Sequence, residues 1–538
     1  MNKFKVAAKR NILLVVLPYL VKRGEAKNTK IRSFRAFPYG LLSVASYVRK
    51  HATSEVNIEV LDCNLYAYEE FRRVLRQKLK NFKPEVVGLS MMFDNSYEHL
   101  ERVAKTVKEY NPDVILVLGG AAASYSYRTI MQEQRSLDAL CYLEGEEPFL
   151  RLVQAEDMRE FLEYDKSWIT RKSLASGRDP ESSFILNLDE AVHIDYTFVN
   201  IADYQMQEAF SPFTFNGPCS KRQFFLITSR GCPYKCVFCS NSAIHGYAMR
   251  YAGIKDVIEH VRHLVADYGM NVLTIYDEQL LFNKTRAKEL FRQLAQFKVR
   301  IECPNGLSVA FIDKEMAELM RSAGMDTVAL AIESGSDYML KEVIRKPLRL
   351  KMVKPVVQTL RKLGFFIQGF FVIGLPGEKD EHREETLRFI KEVQLDWSGF
   401  SPATPLRGSE LYDICVKNGY IKKDLKIHEI EDKKYIIRAP GLDPAHITES
   451  IYLMNLDVNF VNNYRVKAGD YQVAASCFQD VADRYANHAF AYYYLAKAQE
   501  AMNADPALVR LNRKKFCAII AADPEWKRYA DYFKLTLV

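Results

Sequence analysis

Twice along this chain, short apolar runs rich in β-branched residues alternate with amphipathic stretches of helical period. Parallel strands cannot be joined by a tight hairpin and need a long crossover, usually a helix, so this alternation confines both regions to parallel α/β folds. In the first series, from residue 11 to about 145, "ILLVVL", "NIEVLD", "EVVGLS", "DVILVLGG" and "ALCYLEG" are separated by helical patterns such as "YGLLSVASYVRKH", "YEEFRRVLRQKLKNF" and "SYEHLERVAKTVKEY". Such runs predict a doubly wound sheet covered on both faces. Its ligand would sit beyond the carboxyl ends of the strands, against the loops Pro18 to Pro38, Met91 to Ser96 and Gly119 to Ser124.

The second series begins at Phe224 with "FFLITS", "VLTIYD", "RIECPN", "TVALAIESG", "FFIQGFFVIG" and "WSGFSPA", with helical stretches such as "IKDVIEHVRHLVADYG" and "DKEMAELMRSAG" between them. Six successive units predict a partial (β/α)6 barrel of the TIM type, with its chemistry at the carboxyl ends of the strands. Between the two series, residues 151–220 lose the period and read as a linker with little regular structure. Beyond about residue 440 the strand signal stops. "AGDYQVAASCFQDVADRYANHAFAYYYLAKAQEAM" gives two amphipathic helices, and "DPALVRLNRKKFCAIIAADPEWKRYADYF" begins a similar unit. This pattern resembles tetratricopeptide repeats, in too few copies for a free-standing solenoid, so the tail is expected to pack on the body. The expected division is 1–150, 151–220, 221–440 and a helical, TPR-like 441–538.

Composition removes several classes of function. A net charge of +8 is spread along the chain, and no basic run with interleaved aromatics marks a nucleic-acid surface. The N-terminal "NKFKVAAKRNILLVVLPYLV" is interrupted by Pro18 and lacks a small-residue cleavage pattern, so it reads as a first strand rather than a secretory signal. "GFFIQGFFVIGLPG" contains Gln368 and falls short of the roughly 20 residues a membrane helix requires. Seven of the ten cysteines are scattered, as thiols in a reducing cytoplasm would be.

The other three form "SRGCPYKCVFCSN", with Cys232, Cys236 and Cys239 in C-x3-C-x2-C spacing directly after the first barrel strand. Three thiolates can ligate three irons of a cubane cluster and leave the fourth iron open to a small molecule. A zinc site normally takes paired C-x2-C spacing and four ligands, which His245 would have to complete. Cys232, Cys236, Phe238 and Cys239 match the signature of the radical S-adenosylmethionine (SAM) superfamily, and the chain resembles that family. The resemblance implies a [4Fe-4S] cluster whose open iron chelates the amino and carboxylate groups of SAM, and whose electron cleaves the sulfonium to a 5′-deoxyadenosyl radical. It also implies SAM contacts at Glu333 in "MRSAGMDTVALAIESGS" and at Gly374, Pro376 and Gly377 in "FFVIGLPGE". Where many relatives place a Gly-Gly-Glu element, this chain has "IYDEQLLFN", so Asp277 or Glu278 would take the methionine amino group.

The N-terminal motifs "FRAFPYGLLSVASYVRK", "EVVGLSMMFDNSYEHL", "LVLGGAAAS" and "YLEGEEPF" resemble the cobalamin-binding domain of the B12-dependent branch of this family. No D-x-H-x-x-G motif occurs, which implies cobalamin without a histidine beneath cobalt. Met91, Met92 or Phe93 would shield the lower face, and Gly119 and Gly120 would admit the tail of the cofactor.

The resemblance therefore implies a cobalamin-dependent radical SAM C-methyltransferase. One SAM would recharge cobalamin to methylcobalamin, and another would supply the radical that activates an sp3 carbon. A ring-forming, ring-contracting or oxidising B12-dependent radical enzyme is the alternative, and a non-catalytic iron-sulfur or corrinoid sensor is a third reading. The expected partners are a small-molecule or peptide substrate and a flavodoxin or ferredoxin electron donor, with no nucleic acid and no membrane span.

Overall fold

A computed structural model describes residues 9–19, 37–67, 70–204, 222–423, 425–430 and 434–536. Most of the Pro18 to Pro38 loop lies outside the described residues.

The first sheet contains β1 (Arg10–Val16), β2 (Val56–Asp62), β3 (Val86–Ser90), β4 (Ile115–Gly119), β5 (Ala139–Cys141) and β6 (Trp168–Ile169), in the order β2-β1-β3-β4-β5-β6. All its pairings are parallel except β5 with β6. Residues of β1 alternate between two cores. Leu13 and Val15 join Leu75, Leu79, Val103 and Val107, whereas Ile12, Leu14 and Val16 join Leu42, Ala45 and Val153. The second of these cores runs on into Phe224, Leu273 and Ile301 of the barrel, so the sheet and the barrel are packed together through one apolar interior. Strand order reverses between β1 and β3, and a doubly wound sheet opens its ligand crevice at that point, here beside Leu17 and Met91.

The expected linker is more ordered than its sequence suggested. Helices Met158–Tyr164 and Arg171–Ala175 and strand β6 all fall within 151–220, and they extend the first unit to about residue 175. The helices are too short to show a clear period, and a two-residue edge strand has no period at all. Beyond them, short turns lead to Tyr204.

In the barrel, β7 (Gln223–Leu226) is followed by a small antiparallel pair, β8 (Ser229–Arg230) and β9 (Arg250–Tyr251), which closes the base of the cysteine loop. Then come β10 (Val272–Ile275), β11 (Arg300–Glu302), β12 (Thr327–Glu333), β13 (Phe366–Ile373) and β14 (Trp397–Pro402). β7, β10 and β11 form one parallel set and β12, β13 and β14 another, and a parallel bridge from Leu307 to Leu330 connects them. The six strands are thus in sequence order, as the alternation predicts for a partial barrel.

Helices Pro444–Leu456, Pro506–Ala522 and Pro524–Tyr532 each begin at an Asp-Pro pair, in which the aspartate side chain accepts from early backbone N–H groups and proline occupies a position that needs no donor. With Tyr471–Arg484 and Ala489–Ala501 they form the C-terminal helical region. This region covers the outer edge of β14. Asn459 accepts from Ser398 N–H and donates to Ser398 C=O, both at 2.8 Å, in place of a neighbouring strand. Arg465 pairs with buried Asp396, and Trp397 meets Phe460 edge-on at 5.6 Å. Tyr492 and Tyr494 are buried, and the half-exposed Tyr493 reaches Thr536 C=O, so packing accounts for the tyrosine run.

Candidate active site

The cysteine loop leaves the barrel at Gly231, whose φ of 100° only glycine adopts freely; a Cβ there would lie 2.3 Å from Ala248 C=O. Cys232 is buried and Cys236 and Cys239 are half-buried, and all three are free thiols. Val237 anchors the loop to the barrel, donating to Ile344 C=O and accepting from Leu411 N–H, and Phe238 packs against the core beside it. The thiols lie within one another's electrostatic reach, and burial pushes Cys236 up to about 12 while Lys346 opposes it. Burial raises the Cys232 pKa, and the Tyr234 backbone and the Gln279 side chain oppose it.

Among the described residues, no three His, Cys, Asp or Glu side chains gather around a position for a single metal ion. Three free thiols in one loop are the ligand number of a cubane cluster with one open iron, whereas a structural zinc ion takes four ligands.

Strand β12 brings Glu333 to the same rim. A register shift between Ala331 and Glu333 leaves Glu333 at φ 71°, a strained conformation for a residue with a side chain. Its carboxylate accepts from Lys346 at 2.8 Å, and both groups are nearly buried. Burial works against the Lys346 ammonium, yet Glu333 holds its pKa above the usual lysine range. Lys346 therefore places a positive charge within electrostatic reach of all three thiols, a role not legible in the sequence.

The two acids after β10 behave differently. Asp277 accepts from Thr228 N–H, Thr228 Oγ1 and Ser229 Oγ, each at 2.6 Å, and so ties β7 to β10. Glu278 lies 3.7 Å from His245 Nε2 through one oxygen, and its buried Oε2 has no hydrogen-bond partner among the described residues. Burial raises the pKa of both acids. A buried carboxylate oxygen without a partner beside the cysteine loop is what a missing cationic ligand group would leave.

Gly374 has φ 92°, and a Cβ there would lie 2.4 Å from the Tyr435 ring, whose hydroxyl donates to Gly374 C=O. Its N–H donates to Glu378, which burial raises to about 7. This glycine thus has a packing reason of its own. Gly377, at φ 97°, follows Pro376 in the same turn, and a Cβ there would meet only Val343 at 3.7 Å.

On the facing rim, Met91 is fully buried in the core of the first sheet, whereas Met92 and Phe93 are exposed at the switch point, with Phe93 5.0 Å from Tyr19. Gly120 has φ 108°, and a Cβ there would lie 2.4 Å from Met91 C=O; a Cβ at Gly119 would meet only Cys141, at 3.8 Å. Of the five residues expected to meet cobalamin, Met92 and Phe93 are exposed and Gly119 has open space at its Cβ, whereas Met91 is buried and Gly120 packs against Met91 C=O.

The two rims touch directly. Tyr125, after β4, donates to Ser240 C=O in the cysteine loop at 2.8 Å, and Glu144, after β5, contacts His245, Arg230 and Arg250.

Residues 226–390 match the radical SAM superfamily and residues 32–153 match the B12 binding domain. The chain is 28% identical over 467 residues to cytidylyl-2-hydroxyethylphosphonate methyltransferase of Streptomyces wedmorensis, covering 79% of this chain and 86% of that protein. It is 26% identical over 341 residues to the anaerobic magnesium-protoporphyrin IX monomethyl ester cyclase of Rubrivivax gelatinosus, covering 63% of this chain and 60% of that protein. Among solved structures, it shares its fold with the cobalamin-dependent radical enzyme OxsB in complex with aqua-cobalamin and SAM (TM-score 0.65, 13% identity, 96% of this chain and 80% of that one). The radical SAM methyltransferase TsrM of Kitasatospora setae, bound to cobalamin and a [4Fe-4S] cluster, gives a TM-score of 0.61 at 15% identity, covering 92% of this chain and all of that one.

Proposed function

We propose that this chain, a radical SAM protein with an N-terminal B12-binding domain, is a cobalamin-dependent methyltransferase acting on an unactivated carbon of a small-molecule or peptide substrate. The observation that carries the reading is the direct seating of the cysteine loop against the carboxyl ends of the first sheet, through Tyr125 to Ser240 and Glu144 to His245. Two ligands held on these rims would face one substrate. The likeness to a methyltransferase across 79% of the chain supports methyl transfer as the outcome.

When bound, the cluster with SAM supplies a nucleoside radical, and cobalamin supplies a transferable methyl group. In this reading Cys232, Cys236 and Cys239 hold three irons. Lys346 offsets the negative charge of the thiolates, and Glu333 keeps that lysine in place. Glu278 receives the amino group of SAM on its free oxygen, while Asp277 braces the barrel mouth behind it. The turn Gly374 to Gly377 shapes the nucleoside side of the site. Met92, Phe93 and Gly119 would offer the corrin its apolar contacts, beside Asp94. An sp3 carbon has no lone pair or acidic proton, so no general base is assigned.

The electron comes from a small one-electron carrier of flavodoxin or ferredoxin type. The nine described cysteines are free, which suits a reducing cytoplasm. No described helix is long and apolar enough to cross a membrane.

The test is anaerobic incubation of cluster-reconstituted, cobalamin-loaded protein with SAM and a strong reductant, followed by mass spectrometry of the nucleosides. The reading predicts S-adenosylhomocysteine together with 5′-deoxyadenosine. 5′-Deoxyadenosine alone would move the chain to a non-methylating branch, the reaction class to which the likeness to the cyclase points.

A further inference from the structure

A second cluster of buried charge lies between the two rims and holds neither ligand in the reading above. At its centre is Glu144, in the "YLEGEE" turn after β5, with a side chain only 2% exposed. Its carboxylate takes a two-point contact from Arg250, with Nη2 to Oε1 at 2.6 Å and Nη1 to Oε2 at 3.0 Å. It also pairs with His245 Nδ1 at 2.8 Å and Arg230 Nη1 at 3.2 Å, and accepts from Ile185 N–H at 3.1 Å. Arg230 reaches back with Nη2 to Glu146 at 2.7 Å, and Glu146 also accepts from Ser43.

The partners come from one place. Arg230 and Arg250 face each other across β8 and β9, the pair that closes the base of the cysteine loop, and His245 ends the short helix that follows the third cysteine. Glu144 thus grips the cysteine loop at both strands of its base and at its far end. The preceding Leu143 is held at φ 67°, with its N–H donated to Ser124 Oγ in the short helix Ala121–Tyr125 after β4. The grip therefore originates in the strand ends that form the cobalamin rim. Buried ionic clusters of this kind add little net stability, because desolvation offsets their attraction, but they admit only one geometry.

We propose that Glu144 is a positioning residue that fixes the register between the cysteine loop and the cobalamin rim, and so governs how efficiently a methyl group passes between the two sites. The inference rests on the methyltransferase reading. The cysteines, Glu278 and Lys346 that would cleave SAM all lie on the barrel side, and the register reaches them chiefly through His245, 3.7 Å from Glu278. Methyl transfer depends on the register strongly, since a displacement on the scale of an ångström can cost orders of magnitude in rate.

Glu144→Gln keeps the shape and removes the charge. In protein without cofactors, hydrogen exchange at residues 229–231 and 250–252 should accelerate while β4 stays protected. In reconstituted protein, the ratio of S-adenosylhomocysteine to 5′-deoxyadenosine should fall by about tenfold or more at wild-type iron and cobalt content. An unchanged ratio overturns the proposal, as does joint loss of iron and cobalt, which would make Glu144 a folding residue. If this variant does not accumulate, Arg250→Lys, which keeps the charge but loses the two-point contact, should lower the same ratio, and a wild-type ratio would overturn the proposal. A wild-type protein that forms no S-adenosylhomocysteine would break the methyltransferase reading instead. Hydrogen exchange would then still decide whether Glu144 fixes the loop.

Discussion

The barrel rim and the rim of the first sheet face each other, yet they are built on opposite plans. The barrel rim is crowded with ionisable groups: three thiols, the Glu333 and Lys346 pair, and a Glu278 oxygen with no partner among the described residues. The first rim offers exposed Met92 and Phe93 and an open Gly119, with half-buried Asp94 beside them and Glu144 and Glu146 buried beneath. In the proposed reading this contrast suits two different ligands. A small zwitterion with a charged metal cluster needs fixed counter-charges, whereas a broad macrocycle needs a flat apolar surface.

The largest effect should come from the thiols. Replacing Cys232, Cys236 or Cys239 by alanine should remove the brown absorbance and nearly all bound iron while leaving cobalamin retention intact; normal iron content would refute the ligand assignment. Next, the adjacent acids should separate. Glu278→Gln should weaken SAM binding by about tenfold, roughly 1.4 kcal/mol, with little change in thermal stability. Asp277→Asn should instead lower stability by about 1–3 kcal/mol, because it disturbs the buried hydrogen bonds to Thr228 and Ser229. Calorimetry and equilibrium dialysis on both variants check the division, and identical behaviour would erase it.

On the other rim, Phe93→Asp should reduce cobalamin affinity by about 1–2 kcal/mol without affecting iron, measured as cobalt retained after gel filtration. The smallest effect concerns the helical region. Burial holds His488 neutral in the folded protein down to about 3, whereas an unfolded histidine protonates near 6.5. As pH falls, the unfolded chain takes up the proton first, so this contribution to stability is complete above about pH 6.5 and is lost progressively towards 3. His488→Asn, which can still accept from Ala491 N–H at the helix start, should flatten that part of the stability profile.

The alternation of short β-rich runs with helical stretches made all six barrel strands and the five parallel strands of the first sheet legible, most clearly β1, β3, β4 and β10, which are buried on both faces and read as continuous apolar segments. The cysteine triplet was legible because its ligands are close in sequence. What escaped the sequence reading was set by distant contacts. Lys346 meets Glu333 across 13 residues, and Glu144 meets His245 across 101. Neither pairing leaves a periodic trace, although "YLEGEE" stands out as a concentration of acid at a strand end. The glycines were harder to divide. Gly119 leaves space while Gly120 and Gly374 are required by the backbone and by Tyr435, and a glycine in a sequence does not say which need it meets.

The central claim is that one chain holds two different metal cofactors on facing rims through separate residues. Its most direct test is metal analysis of protein reconstituted with iron, sulfide and hydroxocobalamin, beside the Cys236→Ala variant. The account predicts about four irons and one cobalt per chain in the wild type, and cobalt without iron in the variant. A wild type that retains iron but no cobalt would contradict it.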